Sequence, residues 1–397
     1  MKSPSRQKND LRVWIKRRNV SDTQAMPLHI RTGKWKKKGI HFIRRITIVI
    51  LTFLFRKYRH KNKPRIESMR SVLIIPNFPI GDIVLTSPLW TALRNRVPSL
   101  RIGVAASNTN RSVLNNEHID KIYDLHSPGY FRLLKEIFRA RNDKWDVVLA
   151  PVGFYKPARF AIISRIIARS GITATMHSAR PKRYARIYSF CFARPHAWDC
   201  IPMVDQYLSL IELAFDIQIS QKDRLPHFTI SPDIESETES KVQRLLDEKK
   251  ALKYILVNVE AKNEYREWGL ENVHLLAERV RDKLKDTLII LIASENYRIY
   301  FHNELDAIVG ENVILVESES IHHAAALIKL ASVIISPDTS IVHIAAALNK
   351  KLIAFYPAPD EWLPYGTSAR ILYPVRWEPI SSISVDSVFR QLTSLLN

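Results

Sequence analysis

The stretch SVLIIPNFPIGDIVLTSPLW, residues 71–90, indicates the fold class of this chain. An apolar run over 71–76 predicts a buried strand, and the residues after it predict a helix over 82–95. We expect Gly81 to allow a tight turn between them and Asp82 to open the helix. Short apolar strands that alternate with helices are typical of parallel α/β units.

The same alternation continues to the C-terminus and predicts two doubly wound, Rossmann-like domains over 71–235 and 236–397. The polar stretch SPDIESETES (231–240) marks the boundary, and its glutamates fit a solvated first helical turn. The predicted strands are 101–105, 121–125 (strand or turn), 145–150, 254–259, 287–293, 312–316, 332–336 and 351–356; the predicted helices are 130–140, 157–169, 202–214, 270–284, 297–308, 320–330 and 339–348.

The net charge of +21 is concentrated at the N-terminus, because residues 1–70 hold 21 Lys and Arg against three acidic residues. The remainder is nearly neutral and has no basic face interleaved with aromatic residues, so we expect no nucleic-acid partner. Two cysteines, Cys191 and Cys200, are too few for a disulfide scaffold. They fit small buried side chains in a protein of the reducing cytoplasm.

Within this basic leader, residues 1–70, the apolar segment ITIVILTFLF (46–55) precedes the basic stretch RKYRHKNKPR (56–65). Ten helical residues reach about 15 Å, roughly half of a bilayer's hydrocarbon thickness. The leader is therefore predicted to be partly disordered, with a segment that lies in the membrane interface and cations attracted to anionic lipid. A packing helix with a solvated basic tail and a true span are the alternatives.

Loops at the carboxyl ends of parallel strands are where doubly wound sheets bind ligands. Asp82 could accept a proton from a hydroxyl nucleophile, or it could be an N-cap. The stretch SPDTSIVHIAAAL (336–348) leads into a helix whose first N–H groups suit a phosphate. Thr339 and Ser340 could add hydroxyl donors there and Asp338 could accept from a sugar hydroxyl, with capping as the alternative. His343 could face the ligand or pack in the helix.

The stretch NVEAKNEYREWGLENV (258–273) carries Lys262 and Arg266, which could neutralise a diphosphate or could simply be solvated. Trp268 could pack under this loop or against a base. The proline-rich stretch FYPAPDEWLPYG (355–366) could form a rigid wall or a plain turn. We expect no metal and no cofactor, because the chain has no D-x-D pair, no GxGxxG, no Walker A loop, no HExxH and no GxSxG.

Four segments together resemble glycosyltransferase family 9, the lipopolysaccharide heptosyltransferases. They are PIGDIVLTSPLWTALRNRVP, REW, VDQYLSLIELAFDI and SPDTSIVHIAAALNKKLIAFYPAPDEWLPYG, and the similarity spans about residues 71–397. The resemblance implies an α/β fold of the GT-B type, with two Rossmann-like domains that face a central cleft and a basic N-terminal extension. It also implies an inverting, metal-independent enzyme. The donor would be a nucleotide-diphosphate sugar such as ADP-heptose, and the acceptor a lipopolysaccharide core sugar or related glycolipid.

The family's site residues can be placed on this sequence. Asp82 matches the aspartate taken as the catalytic base, and Arg266 matches the basic residue of the K-x-W motif that contacts donor phosphates. Asp338, Thr339 and His343 match the D-T-G-x-x-H donor loop, in which Ser340 replaces the glycine. The resemblance implies a cytoplasmic enzyme, peripherally attached through residues 1–65 to the anionic inner face of the cytoplasmic membrane.

Two loops depart from the family pattern. Asn258-Val259-Glu260 stands where Asn-Pro-Gly is common, and Ala293-Ser294-Glu295 replaces a glycine-rich turn. These departures leave open a family 9 transferase that uses another nucleotide sugar and a degenerate member that binds a nucleotide or glycan without turnover. The two-domain architecture also leaves open a nucleotide-sugar epimerase.

Overall fold

The computed structural model describes residues 62–397 apart from 77, 108, 115–116, 127–128, 152–156, 169–170, 178–182, 194–200 and 377. Ile230–Asn397 form one compact unit, and the described residues up to Thr229 belong to another. The boundary lies six residues before the predicted one at 235/236. The predicted interfacial segment 46–55 and Cys200 lie outside the described residues.

The first unit is a six-stranded parallel sheet with strand order β3-β2-β1-β4-β5-β6. In chain order its elements are β1 Ser71–Ile74, α1 Ile80–Arg96, β2 Arg101–Ala106, β3 Lys121–Asp124, α2 Tyr130–Asn142, β4 Val147–Ala150, α3 Pro157–Ala168, β5 Ile172–His177, β6 Phe190–Ala193 and α4 Met203–Phe215.

The second unit is also a six-stranded parallel sheet, with order β12-β11-β10-β7-β8-β9. Its elements are α5 Pro232–Lys249, β7 Lys253–Asn258, α6 Leu270–Lys283, β8 Thr287–Ala293, α7 Glu295–Tyr300, α8 His302–Ile308, β9 Val313–Glu317, α9 Ile321–Leu330, β10 Val333–Pro337, α10 Ser340–Ala347, β11 Leu352–Phe355, β12 Arg370–Leu372 and α11 Val385–Leu396.

Both sheets confirm the predicted doubly wound topology. Each unit has its first strand at the centre, with the second and third strands to one side and the fourth to sixth to the other. The order therefore reverses between β1 and β4 in one sheet and between β7 and β10 in the other. Because ligands bind beyond the carboxyl ends of strands at such a switch point, the loops after β7 and β10 are the positions to inspect in the second unit.

Of the twelve strands in the described residues, the sequence predicts nine and misses β5, β6 and β12. β8 is buried at every position, as expected for a strand covered on both faces. By contrast, β6 has no buried position and β12 has only three residues. The predicted helix 297–308 is two helices, α7 and α8, that meet at Phe301.

Helix α1 contains Pro88, which removes the N–H that would normally bond to the Val84 carbonyl. The Ser87 hydroxyl donates to that carbonyl at 2.7 Å and accepts from the His227 amide at 2.7 Å. Ser87 thus satisfies the freed carbonyl and ties α1 to residue 227, so the helix continues through the proline.

None of the helices in the part of the chain that the structure describes combines the length and the apolar character needed to cross a bilayer.

Candidate functional site

Three polar side chains join the carboxyl ends of β7 and β10. The Asn258 amide nitrogen donates to the Ser336 and Thr339 hydroxyls, at 3.1 Å in each case. It also lies 3.1 Å from the Glu260 carbonyl. Asn258 and Ser336 are buried, so this network holds the two strand ends together at the switch point.

Thr339 is the N-cap of α10. Its hydroxyl accepts from the Ile341 amide at 3.3 Å as well as from Asn258. The Val342 amide is bonded to the Thr339 carbonyl. The Ser340 amide, in contrast, has no acceptor among the described residues. The structure therefore makes Thr339 an organiser of the helix start and leaves the Ser340 N–H and hydroxyl as the groups able to meet an anion.

Arg266 and Asp338 form an ion pair at the same edge of the sheet. The Arg266 Nη2 lies 2.7 Å from the Asp338 Oδ2, and both side chains are largely buried. Burial raises the pKa of Asp338, the Arg266 guanidinium opposes that effect, and the Asp360 carboxylate adds to it. Because Arg carries five N–H donors and this bond uses one, the guanidinium can hold Asp338 and still bind a phosphate.

The segment that carries Arg266 is fixed by buried hydrogen bonds. The Asn263 side chain accepts from the Arg266 amide at 3.2 Å, and the Glu267 carboxylate accepts from the Ala261 amide at 3.1 Å. Asn263 and Glu267 are both buried. Lys262, by comparison, is exposed at the start of the same segment. Arg266 is therefore preorganised, whereas Lys262 is a solvent-facing cation.

Trp268 is a core residue. It packs against Phe355 with ring centroids 5.1 Å apart and donates from its indole nitrogen to the Ile383 carbonyl at 2.8 Å. Only 3% of its surface is exposed, so of the two predicted roles the structure shows packing under the loop. Gly269 follows with φ of 92°, a conformation that side-chain-bearing residues rarely adopt, and caps α6.

His343 lies one turn into α10 and is 5% exposed. Its Nδ1 has no hydrogen-bond partner among the described residues. Burial lowers the pKa of this imidazole to about 4, so the ring is neutral at pH 7. A buried ring nitrogen without a partner can meet a ligand polar group as a neutral donor or acceptor.

The two loops that depart from the family pattern contact each other. The Glu260 Oε2 accepts a hydrogen bond from the Ser294 amide at 2.9 Å, and the Ser294 hydroxyl caps α7 by accepting from the Tyr297 amide. The carboxylate of Glu260 is therefore directed to the start of α7.

The proline-rich stretch 355–366 begins with Tyr356, which is wholly buried and donates to the Trp362 carbonyl at 3.0 Å. Burial and the neighbouring Asp338 carboxylate raise the pKa of this tyrosine, so its hydroxyl stays protonated. Gly366 has φ of 77°, as expected of the predicted turn. The bond from Tyr356 to Trp362 stiffens this stretch.

Asp82 lies in the first unit, after β1. Helix α1 begins at Ile80 with Pro79 as its N-cap, so Asp82 is the third helical residue and the N-cap alternative is wrong. Gly81 is buried in the first helical turn and does not form the predicted turn. The partly buried Asp82 sits at the carboxyl edge of the first sheet, at its own switch point.

The loop before α1 is anchored by a residue that the sequence does not single out. Asn110 is wholly buried, and its amide nitrogen donates to the Phe78 carbonyl at 2.6 Å. Its side-chain oxygen accepts from the Ser107 amide at 2.7 Å. In the second unit Asn258, Ser336 and Asn263 are similarly missed, because a single buried polar residue has no distinctive pattern.

The structure thus brings Arg266, Asp338 and Thr339 to one edge of the second sheet, with Ser340 and His343 on the helix that starts there. Within the described ranges, no group of three or more His, Cys, Asp or Glu side chains could hold a metal ion. What this edge offers is a cation, a helix N-terminus and a neutral imidazole, a set suited to an anionic ligand.

Comparison with known proteins identifies the family of the chain. The sequence model of glycosyltransferase family 9 (heptosyltransferase) matches residues 132–382. The Escherichia coli K12 protein named "Putative lipopolysaccharide heptosyltransferase 4" is 25% identical over 337 residues, which are 83% of this chain and 86% of that protein.

Two solved structures share the fold. The Escherichia coli ADP-heptose lipopolysaccharide heptosyltransferase II has a TM-score of 0.64 at 20% identity, covering 82% of this chain and 98% of its own. The Escherichia coli heptosyltransferase WaaC with ADP has a TM-score of 0.62 at 16% identity, covering 82% and 99%. Since the family match spans more than half of the sequence, this chain belongs to glycosyltransferase family 9, the heptosyltransferases, and has their GT-B fold.

Proposed function

We propose that this glycosyltransferase moves heptose from ADP-heptose to a lipopolysaccharide core sugar or a related glycolipid, with inversion at the anomeric carbon and without a metal ion. The name of one structural neighbour includes ADP-heptose, and another was solved with ADP. The observation that carries the proposal is the Arg266–Asp338 pair beside the start of α10, at the switch point of the second sheet.

In this proposal the donor diphosphate lies against Arg266 and the N-terminus of α10. Asp338 orients the guanidinium, Thr339 holds the helix start, and the Ser340 N–H and hydroxyl donate to phosphate oxygens. Exposed Lys262 adds a second cation at the rim, and His343 meets the donor through its unpartnered Nδ1. Donors already in place where negative charge develops need no reorganisation during the reaction.

Transfer proceeds by a single displacement. The Asp82 carboxylate accepts the proton of an acceptor hydroxyl, whose oxygen attacks the anomeric carbon while the bond from that carbon to the diphosphate oxygen breaks. ADP leaves with the bonding electron pair, and Arg266, Lys262 and the Ser340 amide stabilise its negative charge. Attack opposite the leaving group inverts the configuration.

Substitution of the proposed base tests this mechanism. We expect Asp82→Asn to lower kcat about 100- to 10,000-fold, the range typical of a general base, while ADP binding by calorimetry stays the same. The matched control is Asp233→Asn, since Asp233 is an exposed acid in the first turn of α5. Native transfer by the Asp82 variant would show that another group takes the proton.

The alternatives make different products. A transferase releases ADP only when acceptor is present, an epimerase converts donor alone, and a degenerate member binds ADP without turnover in either condition. Mass spectrometry of the glycolipid from cells with and without the protein identifies the sugar added. A mass increase equal to a hexose rather than a heptose would mean that the donor carries a different sugar, while the displacement mechanism would still hold.

A further inference from the structure

Helix α2 of the first unit presents an exposed apolar face. It buries only Ile137 and Ala140. Its large apolar side chains are instead exposed: Tyr130 by 82%, Phe131 by 90%, Leu134 by 43% and Phe138 by 56%. At about 100° per residue these four side chains fall within one arc of roughly 100°. A continuous exposed patch that contains three aromatic rings marks an interaction surface.

A cationic strip runs beside this apolar face. Arg132, Lys135 and Arg139 follow one another at spacings of three and four residues, so they share one side of the helix. Arg132 is 62% exposed and only loosely paired, with its Nε 3.7 Å from Asp124. Arg139 is 48% exposed and lies 3.1 Å from Glu136. The helix therefore offers an apolar strip with positive charge along its edge.

We propose that α2 lies on the surface of an anionic lipid bilayer, with Phe131, Leu134 and Phe138 inserted among the acyl chains. Arg132 and Lys135 then meet the phosphate headgroups. This arrangement of aromatic and basic strips is that of helices which lie in the membrane interface. The inference goes beyond the proposed function, because it gives the folded body a lipid contact of its own, separate from the basic leader.

Charge favours lipid over the other occupants of this face. Residues 46–55 are apolar enough to cover it, but they are followed by the basic stretch 56–65 in a leader of 21 Lys and Arg. Packing that segment on α2 would bring positive charge against the cationic strip, and a second copy of α2 would do the same. An anionic bilayer carries charge opposite to both the strip and the leader.

A photoreactive side chain identifies the occupant directly. We would replace Phe131 by p-benzoylphenylalanine in the full chain, add vesicles of phosphatidylglycerol and phosphatidylethanolamine without any glycolipid, irradiate, and read the adducts by mass spectrometry. We expect adducts on acyl chains. The same probe at Leu275, 42% exposed on α6 of the other unit, should give none. Adducts confined to 46–55, to a second copy or to an added protein, or no lipid adduct, would overturn the proposal.

Vesicle partitioning provides an independent measurement. We expect Phe131→Ser/Phe138→Ser to lower the partition coefficient of the full chain about 100- to 10,000-fold, since burying each phenylalanine is worth roughly 10- to 100-fold. Its Tm should be unchanged because both side chains are exposed, and Leu275→Ser should bind as the native chain does. If the double variant partitions as the native chain does, then Phe131 and Phe138 do not insert into the bilayer. These vesicles contain no acceptor, so failure here leaves sugar transfer standing, and a failed transfer assay leaves lipid insertion standing.

Discussion

The buried imidazole of His343 makes stability depend on pH in a way that can be measured. An ordinary histidine has a pKa of 6.5, and burial lowers that of His343 to about 4. The unfolded chain therefore takes up a proton on this residue before the folded chain does. The contribution of neutral His343 to stability is complete above pH 6.5 and is lost as the pH falls toward 4.

The pKa difference corresponds to a loss of about 2 kcal/mol at pH 5 and about 3 kcal/mol at pH 4. His343→Gln should remove this loss, because glutamine has a similar shape and does not titrate. We would measure urea unfolding of the native chain and the variant at pH 7.5, 6 and 5, and hydrogen exchange of α10 peptides to assign the change to this unit.

The control is His302→Gln, because His302 is exposed in α8 of the same unit. It should keep the pH dependence of the native chain. If the native chain and His343→Gln lose the same free energy between pH 7.5 and 5, then His343 is not held neutral by burial. The unpartnered Nδ1 of His343 would then not lie in a dry site.

Three further predictions concern the donor site and the leader. Arg266→Lys should raise the Kd for ADP about 10- to 100-fold in calorimetry, because one ammonium cannot hold Asp338 and a phosphate in the same forked geometry, and unchanged affinity would remove Arg266 from the site. Trp268→Phe should lower the free energy of unfolding by about 1–3 kcal/mol, because the Ile383 carbonyl loses its hydrogen-bond donor, and should leave ADP affinity unchanged. Weaker ADP binding at native stability would instead indicate that Trp268 packs against the base of the nucleotide. Deletion of residues 1–65 should weaken sedimentation with anionic vesicles and keep activity on a soluble acceptor fragment, and loss of both would contradict a separate role for the leader.

Much of the fold can be predicted from the sequence because its central strands are buried on both faces. Such strands appear as continuous apolar runs, as in β7 and β8, and the helices between them have clear periodicity. β5 and β6 are not predicted, for a physical reason. The sequence of β5, ITATMH, alternates apolar and polar residues, and β6, FCFA, has no fully buried position. Pairing with a neighbouring strand, rather than local pattern, decides that these residues are extended.

The residues of the proposed donor site also differ in how far the sequence predicts them. Arg266, Asp338 and Thr339 are predictable because a cation, an acid and a capping residue sit at strand ends where ligands bind. Asn258 and Ser336 are not predictable from the sequence, because they act through a hydrogen bond between residues 78 positions apart. The start of α1 is missed by two residues, because Pro79 takes the N-cap position that was one alternative for Asp82.

The hydrogen bond between Glu260 and the Ser294 amide connects the two loops that depart from the family pattern, so their effects cannot be judged one at a time. Taken separately, a glutamate near a diphosphate site would repel the donor, and the loss of a glycine-rich turn would remove backbone freedom after β8. Taken together, the Glu260 carboxylate satisfies an amide at the start of α7, where the helix dipole also favours negative charge. Glu260 in one departing loop therefore bonds to Ser294 in the other. The departures form a single structural unit, which is how a functioning donor site would tolerate both.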